Sequence, residues 1–327
     1  MEYPSRTKLL ELQKIMSKMS FEVCRIIVLP VFGVRWWDVA RTVRKSRLPM
    51  TPLSIARIIC KGIARNLPAE EVDEIISRLR LILVATQNNR IWHVIELREP
   101  LSEEPVKPAE LRERLMQALQ IMRVCRKKTP EVEVVQWKDL EFVSVQLSSG
   151  IRSSASLYLA LPPGVPVALT SSVRGGGLLK ACVLGLGYKT FEDVSLHGRD
   201  IPSLLRIHAG WSENVDRLTE IPEYAPVPIV TNTGIDYTYK TYDQQYVDNI
   251  LGPNPPLLTE LYIKSSKMFF EEQRLNKQMN LTLQLKTEDV AKTLKSWVQI
   301  GALAPTSELF HIFQKIKSNK ITYTAEE

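Results

Sequence analysis

The residues of this 327-residue chain best suited to chemistry are its cations. Arg41, Arg44, Lys45 and Arg47 fall within a single short stretch, and Lys14 and Lys18, four apart, share one face of a helix. Such groups neutralise backbone phosphates, which supplies affinity for nucleic acid without reading its sequence. Arg174 beside Gly175-Gly176-Gly177, with Lys180 in the apolar run that follows, adds charge where a glycine backbone admits close approach of a polyanion. His197-Gly198-Arg199 offers another such loop. Taken singly, each of these side chains fits a solvated surface charge equally well, and the glycines also fit a turn before a helix.

No other chemistry is spelled out. The three glycines are not followed by the Lys-Ser/Thr of a phosphate-binding loop, and Gly185-Leu186-Gly187 lacks the third glycine of a dinucleotide fingerprint. His93, His197, His208 and His311 are isolated, so no metal site can be drawn, and no cofactor motif or G-x-S-x-G nucleophile is present. Cys24, Cys60, Cys125 and Cys182 stand singly, as reduced, buried thiols of a nuclear or cytosolic protein. Trp36, Trp37, Trp92 and Trp297 read as core anchors rather than base-stacking platforms. The expectation is a non-enzymatic protein.

Charge is divided unevenly. Residues 1–100 hold 17 Lys/Arg against 10 Asp/Glu, whereas residues 101–327 hold 26 against 26, so the whole excess of +7 lies in the N-terminal third. That asymmetry points to a polyanionic partner for one domain, nucleic acid ahead of membrane. The most apolar run, Ile26 to Val34, is bracketed by Arg25 and Arg35 and is far shorter than the roughly 20 residues that span a bilayer. No secretory leader pattern opens the sequence, so Asn280-Leu281-Thr282 is expected to be an idle sequon.

The elements that must position these cations begin with five short helices. The 3,4 spacing of Leu9, Leu12, Ile15, Met16 and Met19 predicts the first, over residues 5–20. Others run from Phe21 to Leu29, from Trp36 to before Pro49, from Thr51-Pro52 as cap and first residue, and from Leu67-Pro68 with Glu70 and Glu71 in the first turn. An extended exit at Arg90–Leu97 closes a helical domain, 1–98. A Pro-rich linker, 99–110, leads to a helix from Glu110 to about Arg126. Strands follow at Val132–Val135, Leu140–Leu147, Ala155–Leu161 and Val165–Leu169, then helices at Gly177–Leu186 and from Ile201, giving a central domain over 111–225. Residues 212–258 are weakly periodic and read as a long connection or a partly ordered excursion. In the C-terminal region, 226–327, Met279–Lys286 alternates strictly as a strand. Thr287 then caps a helix with Glu288 and Asp289 in its first turn, ended by Gly301, and a last short helix spans Ser307–Ile316. The fold class is α+β: an all-α bundle, then a mixed, mostly antiparallel α/β region.

Four stretches together resemble the centromere protein N family of inner-kinetochore subunits. They are Arg90-Ile91-Trp92-His93-Val94-Ile95-Glu96-Leu97 with Trp37-Asp38 upstream; Val167-Ala168-Leu169-Thr170-Ser171-Ser172 before a basic loop; Val194-Ser195-Leu196-His197-Gly198-Arg199-Asp200 with Ser203-Leu204-Leu205; and Leu281 to Trp297 with Gly301-Ala302-Leu303-Ala304-Pro305. The resemblance implies a pyrin-like, death-fold N-terminal bundle and a central α/β domain that together grip the DNA of the centromeric nucleosome. It also implies a C-terminal region that pairs with centromere protein L, and other subunits of the constitutive centromere-associated network as partners, at the centromere in the nucleus. Lys14, Lys18, Arg90, Arg174 and Arg199 match or nearly match DNA-contacting positions; Arg41, Arg44, Lys45, Arg47, Lys180 and His197 join them. Glu11 is a candidate for touching the centromeric histone H3 variant, and Leu281, Leu283, Leu285 and Trp297 for the partner. A death-fold protein-interaction adaptor without DNA binding is the competing expectation.

Overall fold

The computed structural model describes residues 3–102, 106–125, 128–148, 156–174, 176–210, 223–231, 234–236, 239–271 and 274–324. The fold is α+β. The chain divides into two units that are interleaved in sequence: Met1–Arg90 with Leu97–Phe191, and Ile91–Glu96 with Glu192–Glu327.

The first unit opens with helices α1 (Arg6–Ser17), α2 (Phe21–Val23), which continues through a π-helical turn at Cys24–Val28 into α3 (Leu29–Val31), then α4 (Trp36–Lys45), α5 (Pro52–Gly62) and α6 (Ala69–Thr86). Local chemistry sets their starts. Ser5, Ser20 and Thr51 each accept a hydrogen bond from the N–H three residues on, satisfying an orphan donor of the first turn, and Pro52 takes the first helical position of α5. Leu12, Met16, Cys24, Leu29, Val43, Ile55, Ile59 and Leu79 are fully buried in one core. Then come β1 (Trp92–Pro100), α7 (Pro108–Ile121), β2 (Thr129–Trp137), β3 (Leu140–Ser148), β4 (Leu157–Leu161), β5 (Val167–Thr170), α8 (Gly176–Gly185) and β6 (Tyr188–Gly198). These six strands form one sheet in the order β2-β3-β4-β5-β1-β6, with β2 to β5 an antiparallel meander. Val135 and Trp137 of β2 pack on the helical core. Helices α7 and α8 meet so closely that a Cβ at Gly185 would lie 2.9 Å from the Leu115 Cα, which explains the glycine without any nucleotide.

The second unit takes residues from β1 and β6 and adds α9 (Ile201–His208), β7 (Ile229–Thr231), β8 (Gly234–Asp236), α10 (Lys240–Leu251), β9 (Glu260–Glu271), β10 (Arg274–Lys286), α11 (Val290–Gln299), α12 (Glu308–Gln314) and β11 (Lys320–Thr324). Strands β10, β9 and β11 form a sheet in that order, β10 antiparallel and β11 parallel to β9. Asn319, 1% exposed, ties this unit together. Its side chain accepts from the His197 N–H at 2.6 Å and donates to the Glu260 carbonyl at 2.7 Å; its backbone bonds Ser195 and Tyr262.

Several expectations need correction. Trp37 is not a core anchor: α4 buries Val39, Ala40 and Val43, leaving Trp37 to the side of that face, 74% exposed. Trp36 is half-buried, edge-to-face on Phe21, and Trp92 is buried. The cap of α11 is Asp289, which accepts from the Lys292 N–H at 3.1 Å. Thr287 still belongs to the end of the ladder, its N–H donating to Thr259 O, so the helix begins later than the first cap-forming residue. The stretch Val194–Asp200 is not a loop throughout. Strand β6 continues to Gly198 because Leu196 and Gly198 alternate inward and Ser195 accepts from Asn319. Within 212–258, residues 212–222, 232–233 and 237–238 lie outside the described residues, while the rest holds β7, β8 and α10, a partly ordered excursion and not a bare connection. The starts of the strand at Ala155 and of the glycine run at Gly175, and the helix end at Arg126, also lie outside them. Among the described residues no helix is long and apolar enough to cross a membrane.

Candidate nucleic-acid interface

Helix α1 buries Leu12, Ile15 and Met16, so its period turns Lys14 and Lys18 to solvent. Glu11, the candidate histone contact, is half-buried in an ion pair with Arg80 of α6. At the end of α1 the Gln87 side chain donates to the Lys18 carbonyl at 2.8 Å, fastening the tail of α6 beside that lysine. Three residues on, the Arg90 guanidinium lies over the Tyr158 ring of β4, 4.3 Å from its centroid. A stacked guanidinium keeps its in-plane donors free, and the stacking itself is worth about 0.5–2 kcal/mol.

Tyr158 in turn defines the next basic group. Its N–H donates to the Ser171 Oγ at 3.0 Å, and its carbonyl accepts from the Ser171 N–H at 2.9 Å. Buried Thr170 turns its hydroxyl to donate to the Ser172 carbonyl at 3.1 Å. The Thr170 and Ser171 side chains thus fasten the segment that leads to exposed Arg174. Three contacts thus join segments far apart in sequence, Gln87 to Lys18, Arg90 to Tyr158 and Tyr158 to Ser171, with Arg90 three residues beyond Gln87 and Arg174 three beyond Ser171. Lys180 is exposed on α8.

Arg41, Arg44 and Lys45 project from the exposed side of α4, and Arg47 follows in left-handed backbone, φ 54°. None of the four enters an ion pair among the described residues. The nearby acid Asp38 is taken by Arg35 at 3.2 Å. No family model matches the chain, and no curated protein compared with it matches either.

In the second unit Arg199 is exposed, whereas His197 is partly buried, its Nε2 3.7 Å from Glu260. Leu285 is buried opposite Leu261, Leu283 half-buried opposite Ile263, and Leu281 is 63% exposed opposite Ser265. These lie on β10, an edge strand of its sheet; Trp297 is half-buried on α11.

Chemistry of other kinds is poorly furnished among the described residues. No group of three or more His, Cys, Asp or Glu is placed to hold a metal. All four cysteines are free; burial pushes Cys24 and Cys60 up to about 11 and Cys182 to about 12, and raises Cys125, so the thiols stay protonated. A cleft of about 1280 Å³ in the first unit is walled chiefly by apolar groups such as Leu101, Val106, Ile121, Val165 and Leu186, with Glu141 raised by burial beside them. It contains none of the basic residues described above.

Sequence reasoning missed the contacts of Gln87, Tyr158, Ser171 and Asn319, and the exposure of Trp37. The first four act through partners 13 to 122 residues away, beyond any local pattern. The last was legible in principle, since Trp37 falls on the polar side of the α4 period.

Proposed function

We propose that this chain is a non-enzymatic DNA- and nucleosome-binding protein of the inner kinetochore, a divergent member of the centromere protein N family. The observation that carries this reading is that Arg90 stacks on Tyr158, which bonds the turn bearing exposed Arg174, while Gln87, three residues before Arg90, bonds the carbonyl of exposed Lys18. The Arg90 guanidinium is oriented by Tyr158, so less side-chain entropy is lost when it meets a phosphate. The exposed cations of α4, with no ion pair among the described residues, add to the basic surface. On this reading the helical bundle is a pyrin-like death fold that holds Lys14 and Lys18 toward DNA. Arg199 supplies a phosphate contact from the second unit, and His197, held by Glu260, contributes little. Recognition of the centromeric histone variant through Glu11 requires release from Arg80. Centromere protein L adds a strand to the edge at β10, using main-chain hydrogen bonds for affinity and exposed Leu281 for contact. Other network subunits assemble around this pair at the centromere in the nucleus.

The test is a titration of nucleosome-length DNA, ordinary nucleosomes and centromeric-variant nucleosomes across a salt series. It compares wild type with a chain carrying Lys14→Ala, Lys18→Ala, Arg90→Ala, Arg174→Ala and Arg199→Ala. Each lost phosphate contact should lower the slope of log K against log salt by about 0.9, so the variant loses both affinity and salt dependence. A wild type that binds none of the three ligands refutes the DNA reading and leaves the interaction adaptor.

A further inference from the structure

Trp37 is a large apolar side chain left in water on an otherwise polar helix face. Helix α4 buries Val39, Ala40 and Val43, and the packing duty of the Trp-Trp pair falls to Trp36 against Phe21. Trp37 remains 74% exposed. Arg41 stands four residues on and Arg44 seven, so all three share one stripe of the helix, with neighbouring side chains roughly 5–6 Å apart at Cβ. The other exposed positions of α4 are Asp38, Thr42 and Lys45, so the indole's own helix flanks it with polar and charged groups. Asp38 is neutralised by Arg35, which leaves the stripe cationic. A flat aromatic surface beside arginines that form no ion pair among the described residues matches the face of one base and its flanking phosphates. In a duplex, both faces of a base are already stacked, and inserting a ring between them costs several kcal/mol of unstacking.

We propose that Trp37, Arg41 and Arg44 bind single-stranded nucleic acid, Trp37 stacking on one unpaired base while the two arginines hold its phosphates. The inference rests on the nucleic-acid reading of this basic surface and deepens it: the α4 stripe prefers unpaired strands, whereas the surface from Lys18 to Arg174 holds duplex. Because Trp37 contributes little to the core, its replacement leaves the fold standing.

The test measures fluorescence anisotropy of the full chain with a labelled oligothymidine of about 20 nucleotides and, separately, a duplex of about 20 base pairs, at one salt concentration. Stacking of one base is lost in Trp37→Ala, so single-strand affinity should fall about 5- to 150-fold. Duplex affinity should change less than about twofold, and Trp37→Phe should restore most of the single-strand binding. The double change R41A/R44A should weaken both. If Trp37→Ala leaves oligothymidine binding unchanged, the proposal is overturned; equal weakening of both ligands overturns it too. A wild type that binds duplex but not oligothymidine defeats this inference alone, whereas one that binds neither defeats the parent reading with it.

Discussion

At the scale of single residues, the buried polar groups carry more consequence than the exposed charges. Asn319 satisfies the His197 N–H and the Glu260 carbonyl at once. In Asn319→Ala both lose their partner, and each unsatisfied buried group costs about 1–3 kcal/mol. Urea denaturation should show that loss; Asn319→Asp keeps the acceptor but sets a buried carboxylate oxygen against the Glu260 carbonyl, so it should be destabilised too. The thiols make a pH prediction. An unfolded thiol ionises near its ordinary value of 9, but burial holds Cys182 protonated to about 12. Its contribution to stability is therefore complete below pH 9 and is lost as pH rises from 9 through about 12. Cys182→Ala should flatten that alkaline decline in denaturation midpoints measured at stepped pH, and an unchanged slope would show the thiol to be irrelevant.

At the scale of elements, helix ends and strand alternation were largely legible. Ser5 and Thr51-Pro52 announce their helices because the cap is a local bond, and the Met279–Lys286 alternation survives as part of β10 because one side of that strand packs toward Leu261 and Ile263. Helix α10 escaped because its buried stripe is narrow, Tyr246, Val247, Ile250 and Leu251, among polar residues of modest helix propensity. Its start, Tyr239 with φ 54°, is not a capping residue either. The α7–α8 contact shows why one glycine matters: Gly185→Ala drives a methyl into Leu115 backbone and should destabilise by about 1–3 kcal/mol. Thermal denaturation of that variant reads the effect, and an unchanged midpoint would mean that the helices separate without penalty.

At the scale of the whole molecule, the charge division was visible from composition alone, but the division into units was not. A boundary near residue 98 looks natural from the Pro-rich stretch that follows, whereas the units change over inside β1, between Glu96 and Leu97, and again inside β6. Pairing partners about a hundred residues apart leave no trace in a local window. Likewise, the candidate site was readable as a set of cations, while the contacts around Lys18, Arg90 and Arg174 were not. Chain fragments should reveal the interleaving. One ending at residue 191 strands residues 92–96 of β1 without the rest of their unit, and should melt below the full-length protein by differential scanning calorimetry.

The bond from the His197 N–H to Asn319 spans 122 residues of sequence. A ribosome makes the end of β6 long before it makes the group that pins it, and β11 emerges later still. The second unit is therefore completed only after synthesis has passed residue 324, and until then its half-built sheet presents open edges to chaperones.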